Sequence, residues 1–211
     1  MARKLKEYPS VTLRLEDLNG EINLVQVIGR SGPLHVEIGT GKATFLINQA
    51  KAQPNINFLG IERANKYYRF AVDRIGRWKL NNVKLIRTDA AVFLAEFLPA
   101  ESVDCFHIYF PDPWPKRRHY KRRFLCPANL EHLVRCLKTG GTLRIATDHA
   151  EYFEEIQRLI TDKKDSSQGR LEQIEFLPVS GAMEGELTGT NYERKYIKDK
   201  RQIYTIAAVK K

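Results

Sequence analysis

The sequence is poor in cysteine, tryptophan and methionine, and it has no long apolar run. Its 211 residues include 3 Cys, 2 Trp and 2 Met. The odd number of cysteines and the absence of C-x-x-C spacing exclude a disulfide framework and a zinc site built on cysteine pairs. No stretch reaches the ~18 consecutive apolar residues of a membrane span, and the opening residues MARKLKE lack the apolar core of a signal peptide. We therefore expect a cytoplasmic protein without a membrane partner.

One metal hypothesis remains after this exclusion, and it uses Cys126, His132 and Cys136. His132 and Cys136 lie four residues apart on an expected helix, which would place them on one face. Three ligands without a fourth make a poor structural zinc site. Ordinary packing of buried thiols is the favoured interpretation, and we predict no metal.

The composition is that of a globular protein with an excess of basic residues. Hydrophobic residues make up 43% and charged residues 28%, which excludes disorder and collagen. The formal net charge is +10, and the segment 116–123 (KRRHYKRR) contributes +6 of it. Further basic clusters occupy residues 63–79 and 193–201. Because such concentrated charge suits a polyanion, nucleic acid is the leading partner class.

Apolar runs alternate with segments of helical spacing after residue 33. Strands are predicted at Leu34–Ile38, Phe58–Ile61, Val83–Ile86, Val103–Phe110 and Thr142–Ala146, and helices at Ala43–Gln53, Asn65–Leu80, Ala91–Phe97, Pro127–Lys138 and Ala150–Ile160. This alternation indicates a parallel sheet covered on both faces. Towards the end, the pattern predicts strands at Gln173–Leu177 and Ile203–Val209 and a loop at Ser180–Thr190. We expect an N-terminal arm with some helix over residues 1–33 and one domain over residues 34–211.

A glycine turn follows the first of these strands, in residues 37–41 (EIGTG). A strand that ends in Gly-x-Gly and enters a helix lets a ligand approach the backbone, although the pattern alone also fits an ordinary tight turn. Glu62 ends the next strand, where an acid accepts hydrogen bonds from a ribose, and Asp89 ends the third. We expect Glu37, Glu62 and Asp89 to surround one crevice. An acid such as Glu37 would repel a dinucleotide pyrophosphate, which favours S-adenosylmethionine over a nicotinamide cofactor.

A proline-rich loop follows the fourth strand and leads directly into the basic segment. Residues 111–115 (PDPWP) contain three prolines, which stiffen the backbone around Asp112 and Trp114. Packing alone is the simpler alternative for this loop, and a solvated surface is the simpler alternative for the basic run. A guanine would fit here, because Asp112 accepts hydrogen bonds from its amine and ring N–H while Trp114 or Tyr120 stacks on the base. Atom N7 then faces a methyl donor, and the basic segment 116–123 holds phosphates.

Six motifs therefore occur together: residues 37–41 (EIGTG), Glu62, Asp89-Ala90, residues 110–119 (FPDPWPKRRH), Thr147-Asp148 and residues 190–193 (TNYE). From about residue 34 to its last residue, the chain closely resembles the bacterial tRNA (guanine-N7)-methyltransferase family. The resemblance implies an α/β fold of the Rossmann-like S-adenosylmethionine-dependent methyltransferase type, with a mostly parallel, doubly wound sheet and an antiparallel C-terminal strand. It also implies methylation of the variable-loop guanine at tRNA position 46, which yields N7-methylguanosine and S-adenosyl-L-homocysteine.

The same resemblance assigns residues by motif. The cofactor S-adenosyl-L-methionine would be held by Glu37, Gly39, Gly41, Glu62, Asp89 and Asp112, and Asp112 would also be catalytic. The tRNA would be bound by Lys116, Arg118, His119, Tyr120, Lys121, Arg122, Arg123, Asp148, Thr190, Asn191, Tyr192 and Glu193. Ala43 departs from the family pattern, in which a third glycine is frequent, and we expect this alanine to affect mainly helix packing.

Two other functions stay open on the residues alone. A nicotinamide-dependent oxidoreductase would need the same glycine turn, although no hydride-transfer set of Tyr/Lys or His/Asp is evident. A non-enzymatic RNA-binding protein would keep the basic segment and bind no cofactor. The presence of four acids at the expected cofactor site argues against this alternative; they are Glu37, Glu62, Asp89 and Asp112. Asp148 has the alternative role of a helix N-cap, and His107 is interpreted as a hydrogen-bonded core histidine. The sequence leaves a monomer and a homodimer equally open.

Overall fold

Eight strands form a single sheet in the computed structural model, which describes residues 4–161 and 170–211. The strands are β1 (Thr12–Leu13), β2 (Leu34–Ile38), β3 (Asn57–Ile61), β4 (Val83–Ile86), β5 (Val103–Tyr109), β6 (Leu137–Thr147), β7 (Leu171–Ile174) and β8 (Tyr204–Lys210). Their order is β1-β4-β3-β2-β5-β6-β8-β7. Neighbours from β1 to β6 are parallel, whereas β8 runs antiparallel to both β6 and β7. The predicted mostly parallel sheet with an antiparallel C-terminal strand is confirmed.

Helices cover this sheet on both faces, as a doubly wound fold requires. They are α1 (Leu24–Ile28), α2 (Thr44–Ala52), α3 (Asn65–Trp78), α4 (Ala90–Glu96), α5 (Pro127–Cys136), α6 (Ala150–Thr161) and α7 (Asn191–Lys198). The five predicted helices correspond to α2 to α6, and α7 was not predicted. Among the described residues, the helices fall short of the length and apolar character that crossing a membrane requires.

Alternating side chains of the strands feed two apolar clusters. Val36 and Phe106 belong to the cluster that includes residues of α4, α5 and α6, and each is 0% exposed. Phe58 and Leu85 belong to the other cluster, which includes residues of α2 and α3, and they are equally buried. Consecutive strand residues point to opposite faces, so the near-continuous apolar runs of the sequence supply both clusters.

The segment before β2 is more than the arm with some helix that the sequence predicted. Besides the short helix α1, it contributes β1, whose Thr12 is in register with Leu85 of β4. The Tyr8 ring packs against Gly76 of α3, where even a Cβ atom would overlap the ring. The backbone N–H of Lys6 also donates to Asp73 Oδ1 at 3.1 Å. The start of the chain is therefore attached to α3 and to the sheet.

The strand order reverses between β2 and β5. From β2 the chain continues outward through β3 and β4, and it then returns to place β5 on the other side of β2. Ligands of open α/β sheets bind at the carboxyl ends of the strands beside such a reversal. We call the carboxyl ends of β2 to β6, with the loops that follow them, the carboxyl edge.

Candidate active site

An acidic residue stands at each of five neighbouring positions of the carboxyl edge. Glu37 is the penultimate residue of β2, and the others follow β3, β4, β5 and β6. These four are Glu62, Asp89, Asp112 and Asp148. The parallel topology thus brings the three acids predicted to surround one crevice to the same edge, together with two more.

Glu37 is the most deeply buried of these five acids, and one of its carboxylate oxygens lacks a hydrogen-bond partner among the described residues. Its residue is 4% exposed, and its Oε2 atom has no hydrogen-bond partner among the described residues. Burial raises the pKa of the Glu37 carboxyl well above its usual value, the Thr40 hydroxyl partly opposes this rise, and Glu62 adds to it. A buried carboxyl that avoids ionisation and has a vacant acceptor is suited to receive a cationic group, which would favour its charged form.

The glycine turn between β2 and α2 leaves open space above its backbone. Gly39 and Gly41 have φ angles of +79° and +56°, a region that costs glycine nothing. A Cβ atom added at Gly39 would meet nothing within 4 Å. The backbone N–H of Gly39 donates to the Ile61 carbonyl at 2.9 Å, which ties the turn to the end of β3. The turn is therefore held against the end of β3, and its backbone at Gly39 is accessible to a ligand.

Ala43 adopts a conformation that was not predicted. It has a φ of +57°, it is 0% exposed, and it precedes the first residue of α2. The left-handed region costs a non-glycine residue about 1 kcal/mol or more. The expectation that this alanine affects mainly helix packing was therefore incomplete, because the third-glycine position also has an unusual backbone conformation.

Glu62 links the glycine turn to the next helix. Its Oε2 atom accepts from the Gly41 N–H and its Oε1 atom from the Ala64 N–H, both at 2.7 Å. Asp89 has a comparable local role, because its Oδ1 atom accepts from the Ala91 N–H at 3.0 Å and caps α4. Arg63 lies 3.2 Å from the other Asp89 oxygen. Each carboxylate is thus held in place while it keeps further lone pairs for a ligand.

The loop after β5 holds Asp112 between two strained residues. Phe110 and Trp114 have φ angles of +53° and +44°, which non-glycine residues adopt at a cost of about 1–3 kcal/mol. The Phe110 N–H donates to the Ala146 carbonyl of β6 at 2.7 Å, which fixes the first of them. Asp112 itself is exposed. Strain of this kind persists where the surroundings impose a particular geometry, and here that geometry presents Asp112 to solvent.

Arg123 occupies a position that contradicts its predicted place on an RNA-facing surface. Its side chain is 2% exposed and lies 2.5 Å from Glu155 of α6. Its Nε atom donates to the Pro113 carbonyl at 2.8 Å. The guanidinium carbon lies 3.7 Å from the centre of the Tyr120 ring and 4.8 Å from that of Tyr152. This arginine therefore attaches the proline-rich loop to α6.

The rest of the basic segment faces outward. Residues Arg117–Arg122 form a 3-10 helix in which no side chain is buried. Lys116, Arg118, Lys121 and Arg122 are exposed, and His119 and Tyr120 are half-buried. The Tyr120 hydroxyl donates to Glu151, and Arg122 lies 5.0 Å from the centre of the Trp114 ring. Both aromatic rings that the sequence proposed for base stacking are thus already in contact with arginines.

The residues 190–193 divide into two buried and two exposed groups. Thr190 caps α7 by accepting from the Glu193 N–H at 3.1 Å. Glu193 is 1% exposed, and its carboxylate accepts from the backbone N–H groups of Leu187, Thr188 and Gly189. These two residues therefore shape the loop before α7.

Asn191 and Tyr192, the exposed pair of this segment, contact α2 and the loop after β5. Asn191 donates to the Thr44 hydroxyl of α2 at 2.7 Å. Tyr192 is 51% exposed, and its ring centre lies 6.1 Å from that of Phe110. Burial raises the pKa of Tyr192, and the negative charge of Asp112 contributes to the rise. Tyr192 is thus an accessible aromatic side chain within electrostatic reach of Asp112.

Asp148 does not cap α6, which was its alternative role. The cap is His149, whose Nδ1 atom accepts from the Tyr152 N–H at 3.2 Å. Asp148 instead receives a hydrogen bond from Arg201 at 3.0 Å. It therefore stays at the end of β6, paired with a basic residue from the loop between α7 and β8.

His107 is a hydrogen-bonded core histidine, as predicted. It is 3% exposed, its Nδ1 atom lies 2.8 Å from the Tyr109 hydroxyl, and its Nε2 atom lies 3.2 Å from His35 Nδ1. Cys105 completes a group whose potential ligand atoms lie within 4.8 Å of one another. Among the described residues the cluster suggested from Cys126, His132 and Cys136 does not form, because the Cys136 thiol lies against the Leu98 carbonyl.

Comparisons with known proteins agree with this architecture. A family described as "Putative methyltransferase" matches residues 31–206. A tRNA (guanine-N(7)-)-methyltransferase of Streptococcus thermophilus is 32% identical over 184 residues, which cover 87% of this chain and 83% of that protein. Another with the same name, from Rhodopirellula baltica, is 38% identical over 152 residues, which cover 70% of this chain and 56% of that protein. The chain thus spans little more than half the length of some relatives.

Solved structures show the same fold at low sequence identity. A SAM-dependent methyltransferase from Aquifex aeolicus superposes with a TM-score of 0.57 and 15% identity, covering 89% of this chain and 88% of the other. At that identity, the likeness establishes the Rossmann-like methyltransferase fold alone.

Proposed function

The chain belongs to the tRNA (guanine-N7)-methyltransferase family, and from this premise we propose that it methylates N7 of a guanine in tRNA. The proposed target is the variable-loop guanine at tRNA position 46, and the proposed site of action is the cytoplasm. The observation that carries the proposal is the buried, unpartnered Oε2 atom of Glu37 beside the glycine turn. It indicates a cationic ligand at the position where this fold binds its cofactor.

S-adenosylmethionine fits the residues around the glycine turn. When bound, it supplies an electrophilic methyl group on a sulfonium and leaves as S-adenosylhomocysteine. Glu37 would accept a hydrogen bond from its ammonium group, and the second lone pairs of Glu62 and Asp89 would accept hydrogen bonds from its adenosine. Gly39 and Gly41 would allow close approach, since the space above Gly39 is open.

A nicotinamide dinucleotide fits the same turn less well. Its pyrophosphate would lie next to Glu37, and the ionised form of that carboxylate would repel it. A phosphate oxygen offers no hydrogen-bond donor to the ionised carboxylate, whereas an ammonium group does. The oxidoreductase alternative is therefore disfavoured by the same atom that supports the methyl donor.

Guanine recognition falls to Asp112 in this proposal. A carboxylate accepts two parallel hydrogen bonds from the exocyclic amine and the ring N–H of guanine, which leaves N7 directed elsewhere. Because N7 carries an available lone pair, the transfer requires orientation rather than a strong base, and orientation supplies ~7 kcal/mol or more. Tyr192, which is exposed beside Phe110, is the side chain best placed to stack on a splayed base.

The exposed part of the basic segment would bind the tRNA backbone. Lys116, Arg118, Lys121 and Arg122 follow Asp112 directly, so phosphates bound there would position a base over the carboxyl edge. Asp148 and the loop shaped by Thr190 and Glu193 would border the same base. In this proposal the basic residues bind the RNA through its charge, and the adjacent Asp112 selects the base.

Nucleoside analysis tests the proposal. The protein is incubated with unmodified tRNA transcripts and S-adenosylmethionine, and the RNA is then digested and analysed by mass spectrometry. We expect N7-methylguanosine, and a transcript with adenine at tRNA position 46 should yield none. The proposal would be refuted if none of the transcripts yielded N7-methylguanosine. Calorimetry adds a second arm, because binding of a nicotinamide dinucleotide without binding of S-adenosylhomocysteine would favour the oxidoreductase.

A further inference from the structure

A half-open cavity lies away from the glycine turn, between the start of the chain and α3. Its volume is about 330 Å³, and Arg14, Tyr68, Arg69 and Arg87 are among its lining residues. Arg87 directly follows β4, and Asp89 comes two residues later. The cavity is therefore located beside the cofactor region, at the outer flank of the carboxyl edge. We call it the arginine cavity.

The charge of the arginine cavity is mostly positive. Besides its three arginines, Lys6 lines it, and the opposing acids are Glu7 and Glu16. Within residues 4–161 and 170–211, none of the three arginines lies within ion-pair distance of a carboxylate. Burial raises the pKa of Tyr68, whereas the charges of Arg87 and Arg14 lower it.

The N-terminus of α3 opens into the same cavity. Its first residue, Asn65, belongs to the lining. The helix is 14 residues long, and its N-cap Ala64 provides no side-chain hydrogen bond to the first turn. The Glu62 carboxylate accepts from the Ala64 N–H, and the N–H groups of the first turn that follow add a partial positive charge that favours an anion. The three arginines are therefore the main indication of an anionic ligand, and the helix N-terminus adds to it.

The start of the chain builds one wall of this cavity. Its attachments are the pairing of Thr12 with Leu85, the packing of Tyr8 on Gly76 and the hydrogen bond from Lys6 to Asp73. Arg14 follows β1 directly. These contacts fix the wall that carries Arg14, and all three arginines are exposed and available to a ligand. Preformed sites lose less conformational entropy on binding than flexible ones.

We propose that the arginine cavity binds a phosphate of the tRNA backbone together with its sugar, as a second anchor for the substrate. This inference rests on the proposed function for the identity of the RNA. In the strand order, the cavity lies beyond β4 and the basic segment follows β5, so the glycine turn after β2 lies between them. An RNA bound at both positions spans the carboxyl edge. The volume of about 330 Å³ exceeds that of a lone phosphate, which is why the sugar is included.

Salt-dependent tRNA binding tests the proposal. The variant carries Arg14→Gln, Arg69→Gln and Arg87→Gln in the full chain, and the control Arg30→Gln removes one half-buried arginine that precedes β2, at the amino-terminal ends of the parallel strands. Each lost phosphate contact lowers the slope of log Kd against log salt by about 0.7 to 0.9. We expect the triple variant to lose a slope of about 0.7 or more and to bind unmodified tRNA at least about tenfold more weakly, while Arg30→Gln leaves both unchanged.

Two further measurements separate the possible outcomes. Retained affinity for S-adenosylhomocysteine shows that the triple variant is folded, and an unchanged tRNA slope in such a variant overturns the proposal. A free nucleotide is the other source of a phosphate with its sugar, so adenosine monophosphate is titrated into the wild type and the variant. Nucleotide binding that the variant loses, with tRNA binding unaffected, assigns the cavity to a free nucleotide and overturns the RNA anchor. A wild type that forms no N7-methylguanosine, but whose tRNA affinity falls in the variant, overturns the proposed function and leaves the anchor standing.

Discussion

Arg123 and Pro113 are joined by a hydrogen bond of 2.8 Å from the arginine Nε atom to the proline carbonyl. The last residue of the basic segment thereby holds the backbone next to Asp112. Glu155 and the rings of Tyr120 and Tyr152 hold the guanidinium in turn. An apparent member of an RNA-binding run is thus a positioning residue for the proposed active-site acid.

Substitution of neighbouring arginines should separate these two roles. Arg123→Gln should lower kcat about tenfold or more, because a small displacement of Asp112 disturbs the orientation on which transfer depends. It should leave the salt dependence of tRNA binding unchanged. Arg122→Gln should show the reverse, with a slope lower by about 0.7 to 0.9 and a nearly normal kcat. Equal changes of the salt-dependence slope in both variants would instead indicate that Arg123 contacts the RNA.

Asp112 is expected to act on turnover rather than on tRNA affinity. Asp112→Asn keeps the size of the side chain but replaces one acceptor by a donor, so the guanine loses one of two hydrogen bonds. We expect kcat to fall about 100-fold or more, with the tRNA Kd unchanged because the phosphate contacts remain. The exposed Asp17→Asn serves as the matched control in single-turnover assays. Near-normal turnover of Asp112→Asn would remove Asp112 from its proposed role.

Glu37 should release a proton when a cationic ligand binds. Burial raises its pKa well above the usual value, so the ligand-free protein carries a neutral carboxyl over a range in which an exposed glutamate is ionised. An ammonium group opposite the carboxyl favours ionisation. Calorimetry with S-adenosylhomocysteine in buffers of different ionisation enthalpy should therefore show proton release, and Glu37→Gln should abolish it and weaken binding. Buffer-independent enthalpy in the wild type would contradict this coupling.

The same carboxyl predicts a pH dependence of stability. A glutamate with a raised folded-state pKa stabilises the protein fully below its unfolded pKa, and this contribution is lost as the pH rises through the folded value. The free energy of unfolding of the ligand-free protein should thus decrease above about pH 4.5 through this group. Glu37→Gln should remove that decrease in urea titrations, and parallel curves for the two proteins would refute the expectation.

The buried His35 should make stability depend on pH in the opposite direction. Burial lowers its pKa from 6.5 to about 4, so its contribution is present above pH 6.5 and is lost as the pH falls towards 4. In that window the wild type should lose stability at up to about 1.4 kcal/mol per pH unit through this group. His35→Gln keeps an acceptor for His107 and should flatten the loss in urea titrations between pH 7 and pH 4. An unchanged acid limb would show that His35 titrates normally.

Glu193 should act through the loop before α7. Glu193→Gln removes one carboxylate oxygen from a set that serves the N–H groups of Leu187, Thr188 and Gly189. Leaving one such buried group unpaired costs about 1–3 kcal/mol. Thermal unfolding without substrate should therefore report the substitution, and the neighbouring Asn191→Ser, whose side chain is exposed, should cost less. A loss of activity at unchanged stability would instead favour direct substrate contact by Glu193.

The sequence predicted the architecture well because periodicity and topology constrain each other. Alternating strands and helices allow few arrangements, and parallel strands place their final residues at one edge. The positions of Glu37, Glu62 and Asp89 follow from that rule. Helix α7 was missed although residues 190–193 (TNYE) have the T-x-x-E pattern of a helix N-terminus, and the structure confirms that Thr190 caps it.

Long-range pairing explains the remaining differences. Within a run of six basic residues, nothing local distinguishes Arg123, whose burial depends on Glu155 and on two tyrosines. The spacing of Glu151 and Glu155, four residues apart on one helix face, was the available indication of a buried cation nearby. The two-residue strand β1 carries too few residues for a periodic pattern, and only its partner β4 defines it.

The pairing of Thr12 with Leu85 also bears on how the chain assembles during synthesis. The strand β1 leaves the ribosome before its partner β4, which lies about seventy residues later, at Val83–Ile86. Until then β1 has no neighbour in the sheet. Contacts between residues distant in sequence slow folding, and if β1 docks late, β4 exposes a free edge that can pair with another chain. Deletion of residues 4–14 should therefore promote self-association of the newly made protein.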